Sequence, residues 1–172
     1  TLTNINQMDD WNWVARLLHF SDSALPVGSY AHSFGLEGVC QMGIVDDAKS
    51  LSLFLTRDGA HALRTIDLPL LALAHTAAMD GAAEKLALLD QLSWALRPTR
   101  QLREAASKIG RQQWKLYQRT WNDSFEIELP HYQSPIVLAV ISANESIPVN
   151  AALSSLAYQT YSALLQAALW SL

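Results

Sequence analysis

Five histidines, one cysteine and sixteen Asp/Glu side chains are the groups of this chain that could ligate a metal or move a proton. The histidines are His19, His32, His61, His75 and His131. None stands in the His-x-x-x-His or Glu-x-x-His spacing that places two ligands on one helical face. The nearest grouping is His32, Glu37 and Cys40. Glu37 and Cys40, three apart, share a helix face, and His32 falls elsewhere. That pattern favours a packing carboxylate and a buried thiol, so no metal site is assigned. Nucleophilic chemistry lacks its parts as well. Gly28-Ser29-Tyr30 has no second glycine at the place a nucleophile elbow requires, and no Cys–His signature occurs. Neither glycine-rich phosphate-loop pattern is present, and no carboxylate pair stands out. No catalytic residue is assigned, and no cofactor is expected on this chain.

The strongest remaining signal is basic. Seven of the twelve Lys and Arg residues lie between Arg97 and Arg119. At about 100° per residue, Arg97, Arg100, Lys108, Arg111, Lys115 and Arg119 fall in one stripe, with Leu102, Ala106, Ile109 and Leu116 opposite. Two readings stand: a docking surface for an acidic partner, and a solvated face with Glu104 intercalated. Nucleic acid is not the expected partner, because the chain carries a net charge of −4 and the stripe has no interleaved aromatics. Trp114, Tyr117 and Trp121 read as a core edge. Asp58 falls on an apolar seam with Leu51, Phe54, Leu55 and Ala62, so a partner for it is expected.

The elements that must position these groups are helical. Helices are expected over about 11–20, 30–42, a third capped by Asp46 or Asp47, a fourth started by Asp67 and Pro69, then a fifth to about 96 and a sixth from Pro98-Thr99 to about 121. Two apolar helices over about 135–143 and 150–171 follow a loop at 122–132. Gly43 and Asp80-Gly81 are the breaks. The chain is half hydrophobic and only 16% charged, against about 25% in ordinary soluble domains. Much of it is therefore buried in the fold or against partners. The reading is an all-α, single-domain bundle of about seven to eight helices over 1–172. A lone cysteine excludes an internal disulfide and fits a reducing, cytoplasmic setting. Residues 1–10 carry no secretory signal pattern. Residues 151–172 are long enough to span a bilayer, but Gln159, Thr160, Gln166 and four serines favour a central buried helix.

One junction is denser in special residues than any other: Leu25-Pro26-Val27-Gly28-Ser29-Tyr30-Ala31-His32-Ser33-Phe34-Gly35-Leu36-Glu37-Gly38. Pro26 fixes its own φ, and Gly28 permits a close backbone approach before a helix. Gly35 and Gly38 weaken a helix unless close helix contact requires them. This run resembles the signature of the F-type urease accessory proteins, the UreF family. Arg64 to His75, with its Asp67-Leu68-Pro69-Leu70-Leu71 core, resembles that family's Asp-x-Pro-x-Leu helix start. Arg103 to Gly110 and Ala151 to Ala168 are similar to two later segments, in the family's order. Family members continue past the place of Leu172 with a further segment, so the resemblance implies a domain lacking that tail.

The resemblance implies an α-helical, homodimeric, non-enzymatic assembly factor. It would bind a UreD/UreH-type accessory protein and a UreG-type GTPase, and the complex would deliver nickel to apo-urease. Nickel and GTP would be handled by the partners. The interface residues it implies are Pro26, Gly28, Tyr30, Ser33, Gly35, Glu37 and Tyr158; Arg100, Lys108, Arg111 and Lys115 are the candidates for docking an acidic partner. The alternative is an all-α enzyme or small-ligand carrier with a pocket between helices, using His32, Glu37 and Asp58.

Overall fold

The computed structural model describes residues 12–21, 36–121 and 126–171. Eight α-helices are seen among them: α1 (Asn12–Ser21), α2 (Leu36–Gln41), α3 (Ala48–Phe54), α4 (Leu68–Met79), α5 (Ala83–Leu96), α6 (Arg100–Thr120), α7 (Ser134–Asn144) and α8 (Val149–Ser171). The described residues contain no strand, which bears out the all-α expectation. No helix among them is long and apolar enough to cross a membrane.

A helix apolar on every side must be covered on every side. α7 meets that condition: every residue from Pro135 to Ala143 is buried. α4 and α6 make the heaviest contacts with it, α5 covers α4, and α8 crosses α4, α7 and α1. The main core joins Leu70, Leu71, Ile136, Val137 and Ile141 with Trp114 and Tyr117 of α6. The expected aromatic edge is thus core. The centre of the bundle differs from expectation: it is α7, whereas α8 keeps Tyr158, Leu165 and Leu169 exposed. Much of α8 is only half-buried, with Ala152, Ser155, Leu164 and Ala168 the residues it buries. A second, smaller cluster ties Leu36 of α2 and Val45 to Ala168 near the end of α8.

Local chemistry sets the boundaries. Asp47 caps α3 through a reciprocal box with Ser50, its carboxylate accepting from the Ser50 N–H at 2.6 Å. Gly81, at φ +66°, turns the chain between α4 and α5. Thr99 caps α6 by accepting from the Leu102 N–H. The start of α4 departs from the expected pattern. Asp67 has helical dihedrals and makes no side-chain cap; it ends a wide π-turn, Leu63–Asp67, that runs directly into α4. Pro69 has no N–H for the ordinary ladder and its ring crowds the previous turn, so a widened turn accommodates it. A second π-turn, Leu55–Gly59, follows α3. It rotates Asp58 to the exposed side, so the seam expected for that carboxylate does not form.

The one charge in the apolar region beyond Leu129, Glu145, is buried. It accepts from the Tyr117 hydroxyl at 2.6 Å and pairs with Arg16 of α1. Asn144 in turn donates to the Tyr117 oxygen. Such a carboxylate is tolerated only because its partners replace water.

Candidate functional site

The segment that leads into α7 is held by one carboxylate. Asp90 of α5 is fully buried and accepts three backbone N–H bonds, from His131 at 2.6 Å, Tyr132 at 3.1 Å and Gln133 at 2.7 Å. Tyr132 sits at φ 57°, in the left-handed region that costs a non-glycine residue about 1–3 kcal/mol. Three charge-assisted bonds offset that strain. His131 stacks on Trp94 with ring centroids 4.3 Å apart, and the Arg103 guanidinium lies 5.8 Å from the same indole.

Beside that segment runs a buried polar relay. Arg97 donates from Nη2 to Asp67 at 2.8 Å and from Nε to the Gln133 amide oxygen at 2.9 Å. The Gln133 amide nitrogen donates to Ser107 Oγ at 2.7 Å and to the Arg103 carbonyl at 3.2 Å. Arg103 closes the ring by donating to the Arg97 carbonyl. Burial pushes the Asp67 carboxyl above its ordinary 3.8, and the Arg97 charge and hydrogen bond pull it back in part. The relay joins the start of α4, the α5–α6 turn, α6 and the start of α7. It draws Asp67, Arg103 and Ser107, from two separate sequence segments, to one place. Arg97 was expected on the exposed basic stripe; it is instead buried, because Pro98 turns the chain before α6 begins and directs the guanidinium at Asp67.

The rest of the stripe is exposed: Arg100, Lys108, Arg111, Lys115 and Arg119 all face solvent along α6. Arg100 is already paired with Glu104 at 2.6 Å, which holds its guanidinium pKa above the ordinary value. Arg111 lies over the Tyr132 ring at 4.8 Å. Lys108, Lys115 and Arg119 complete a cationic strip on the flank of the α6–α7 junction.

Of the interface residues expected from the sequence, Glu37 and Tyr158 are described, and both are exposed. They do not form one cluster. Glu37 lies in the first turn of α2, which packs near Ala168, about 15 Å of helix rise from Tyr158. Pro26, Gly28, Tyr30, Ser33, Gly35 and His32 lie outside the described residues. Gly38 makes no close helix contact of the expected kind, since no described atom lies within 4 Å of where its Cβ would stand. Cys40 is a free, half-buried thiol. Among the described residues no group of three His, Cys, Asp or Glu could hold a metal.

A pocket of about 130 Å³ opens between α6 and α8, beside the Asp67–Arg97 pair. It is a pocket between helices, but Glu37 and Asp58 do not line it. Gln113 does, and nothing in the spacing of the sequence singles that residue out.

The described fold is an all-α bundle around one buried helix, with its charged and aromatic surface chemistry on α6 and α8. The chain belongs to the UreF family, whose model matches residues 45–170. A urease accessory protein UreF of Chromohalobacter salexigens is 37% identical over 97 residues, which is 56% of this chain and 42% of that protein. The corresponding protein of an Arthrobacter species is 28% identical over 161 residues, 87% of this chain and 68% of its own length. A bifunctional urease accessory protein UreEF of Bordetella bronchiseptica is 31% identical over 102 residues, 59% of this chain and 24% of that protein. The chain spans less than half the length of the Chromohalobacter and Methylobacterium relatives it matches.

Proposed function

We propose that this chain is a non-enzymatic, cytoplasmic assembly factor of urease maturation. In this reading it is a homodimer that holds a UreD/UreH-type accessory protein and a UreG-type GTPase together for nickel insertion into apo-urease, and it modulates the GTPase. Nickel and GTP stay with the partners. The observation that carries the reading is the family match over residues 45–170. The surface is consistent with it: Lys108, Arg111 and Lys115 offer a cationic strip to an acidic partner, and Tyr158, 67% exposed, offers an aromatic anchor.

The test is co-elution with light scattering, the chain being mixed first with the UreD/UreH-type protein and then with the GTP-bound GTPase. A ternary complex containing two copies of the chain is the expected result. A folded chain that joins neither partner overturns the scaffold reading. Tyr158→Asp and Tyr30→Asp address the interface: assembly unchanged in either, with helicity intact by circular dichroism, removes that residue from it.

A further inference from the structure

We propose that the pocket between α6 and α8 is a binding site for a small, neutral, aliphatic molecule that carries a hydrogen-bond donor, such as an alcohol or a primary amide. Size, polarity and charge each narrow the ligand. An apolar cavity of about 150 Å³ holds a benzene ring. The 130 Å³ here therefore suits about five or six heavy atoms. The wall is mostly aliphatic, with Leu102 and Ile109 of α6 facing Leu156 and Ala163 of α8.

The polar atoms select for a donor. Gln113 is only 7% exposed, lines the pocket, and its amide oxygen has no hydrogen-bond partner among the described residues. A buried acceptor left unpaired is costly, and a ligand N–H or O–H removes that cost. The neighbouring polar side chains do not fill the role. Thr160 gives its hydroxyl proton to the Leu156 carbonyl at 2.9 Å, and Gln159 gives its amide N–H to Ser155 at 3.0 Å. Neither side chain pairs with the Gln113 oxygen. The charges select for neutrality. Asp67 and Arg97 at the pocket's edge compensate each other at 2.8 Å. An ionic ligand would compete with that pair for one partner and strand the other.

The probes are 1-butanol and diethyl ether, isomers of equal heavy-atom count that differ in having and lacking a donor. They are titrated into the whole chain while NMR follows the methyl groups of Leu102, Ile109 and Ala163. Saturable shifts with 1-butanol, at least fivefold tighter than with the ether, are expected. Gln113→Leu should bring the two affinities within twofold of each other. Ala163→Leu, which adds bulk to the wall while leaving Gln113 in place, should abolish the 1-butanol shifts. Absence of saturable shifts, equal affinity for both probes in the unaltered chain, a preference that survives Gln113→Leu, or binding that survives Ala163→Leu each overturns the proposal. If Gln113→Leu does not fold, the two-probe comparison and Ala163→Leu still decide it.

Discussion

The Tyr132 carbonyl occupies the space into which a side chain at Gly110 would point. A Cβ at Gly110 would overlap that carbonyl oxygen and stand 3.0 Å from its carbon and 3.1 Å from the Ser134 nitrogen. The obstacle is backbone, and Tyr132 is already held at positive φ by Asp90. It has no rotamer into which it can retreat. Glycine on α6 is what lets the entry to α7, the central helix, lie directly against it.

Gly110→Ala should therefore destabilise the fold by about 1–3 kcal/mol, the cost of overpacking a closed site. Gly38→Ala on α2, where no described atom lies within 4 Å, should instead be neutral or stabilising by about 0.5–1 kcal/mol. Urea denaturation measures both. Equal effects of the two substitutions would remove the close-contact explanation.

Asp90→Asn keeps the size of the side chain and removes the charge that three backbone N–H groups share. A loss of about 3 kcal/mol is expected, within the range for charge-assisted bonds in a buried site. Amide exchange should localise the damage: His131, Tyr132 and Gln133 should exchange faster, while the amides of α8 keep their protection. Uniform acceleration across the chain would mean that Asp90 supports the bundle at large and not this segment.

The Asp67–Arg97 pair makes a pH-dependent prediction. The side chains are 17% and 10% exposed. Removing one partner, as in Arg97→Met, should cost about 3–5 kcal/mol, and Asp67→Leu added to it should recover much of the loss. Because burial raises the Asp67 pKa above 3.8, the folded chain binds a proton at higher pH than the unfolded chain does. This carboxyl's contribution to stability is then largest below 3.8 and is lost as pH rises through its native pKa. Wild type should gain on Asp67→Asn as pH falls from 7 toward 4. Asp47 runs the other way. The Ser50 N–H holds its carboxylate below 3.8, so its contribution is full above that value and lost as pH falls through its native pKa. Thermal melts of Asp67→Asn and Asp47→Ala across pH should show opposite trends relative to wild type.

Helix existence was legible because it rests on apolar spacing and on punctuation: Thr99, Gly43 and Gly81 act where the sequence puts them. The order of burial was harder. α7 and α8 are both nearly free of charge, and only the packing of α4 and α6 on both sides of α7 decides which one is central. The polar hub was hidden for a related reason. Asp67, the Asp90–Arg97 stretch and Gln133 are far apart in sequence, and helical periodicity assigns each residue to a face without knowing which face meets which. Arg97 falls into the basic stripe by angle alone, yet Pro98 breaks the helix that the angle assumes. Glycine could be flagged at 110 by its likeness to a family segment, but the carbonyl it makes room for comes from a loop more than twenty residues away.

The cationic strip carries the last prediction. Lys108 and Lys115 are exposed on α6, two turns apart. They make no ion pair with any described acid. Lys108→Glu with Lys115→Glu should leave the denaturation midpoint within about 0.5 kcal/mol of wild type, as surface substitutions do. If α6 docks an acidic partner, the same double change should slow association at least tenfold at low salt, and the difference should shrink as ionic strength rises past about 0.15 M, where charges beyond about 8 Å are screened. The rate is read by surface plasmon resonance against the UreD/UreH-type protein and the UreG-type GTPase separately. A rate unchanged for both at low salt would return α6 to an ordinary solvated face and leave Tyr158 on α8 as the exposed candidate. A slowed rate for one partner alone would identify which of them α6 receives, because steering acts only where the opposing field is acidic.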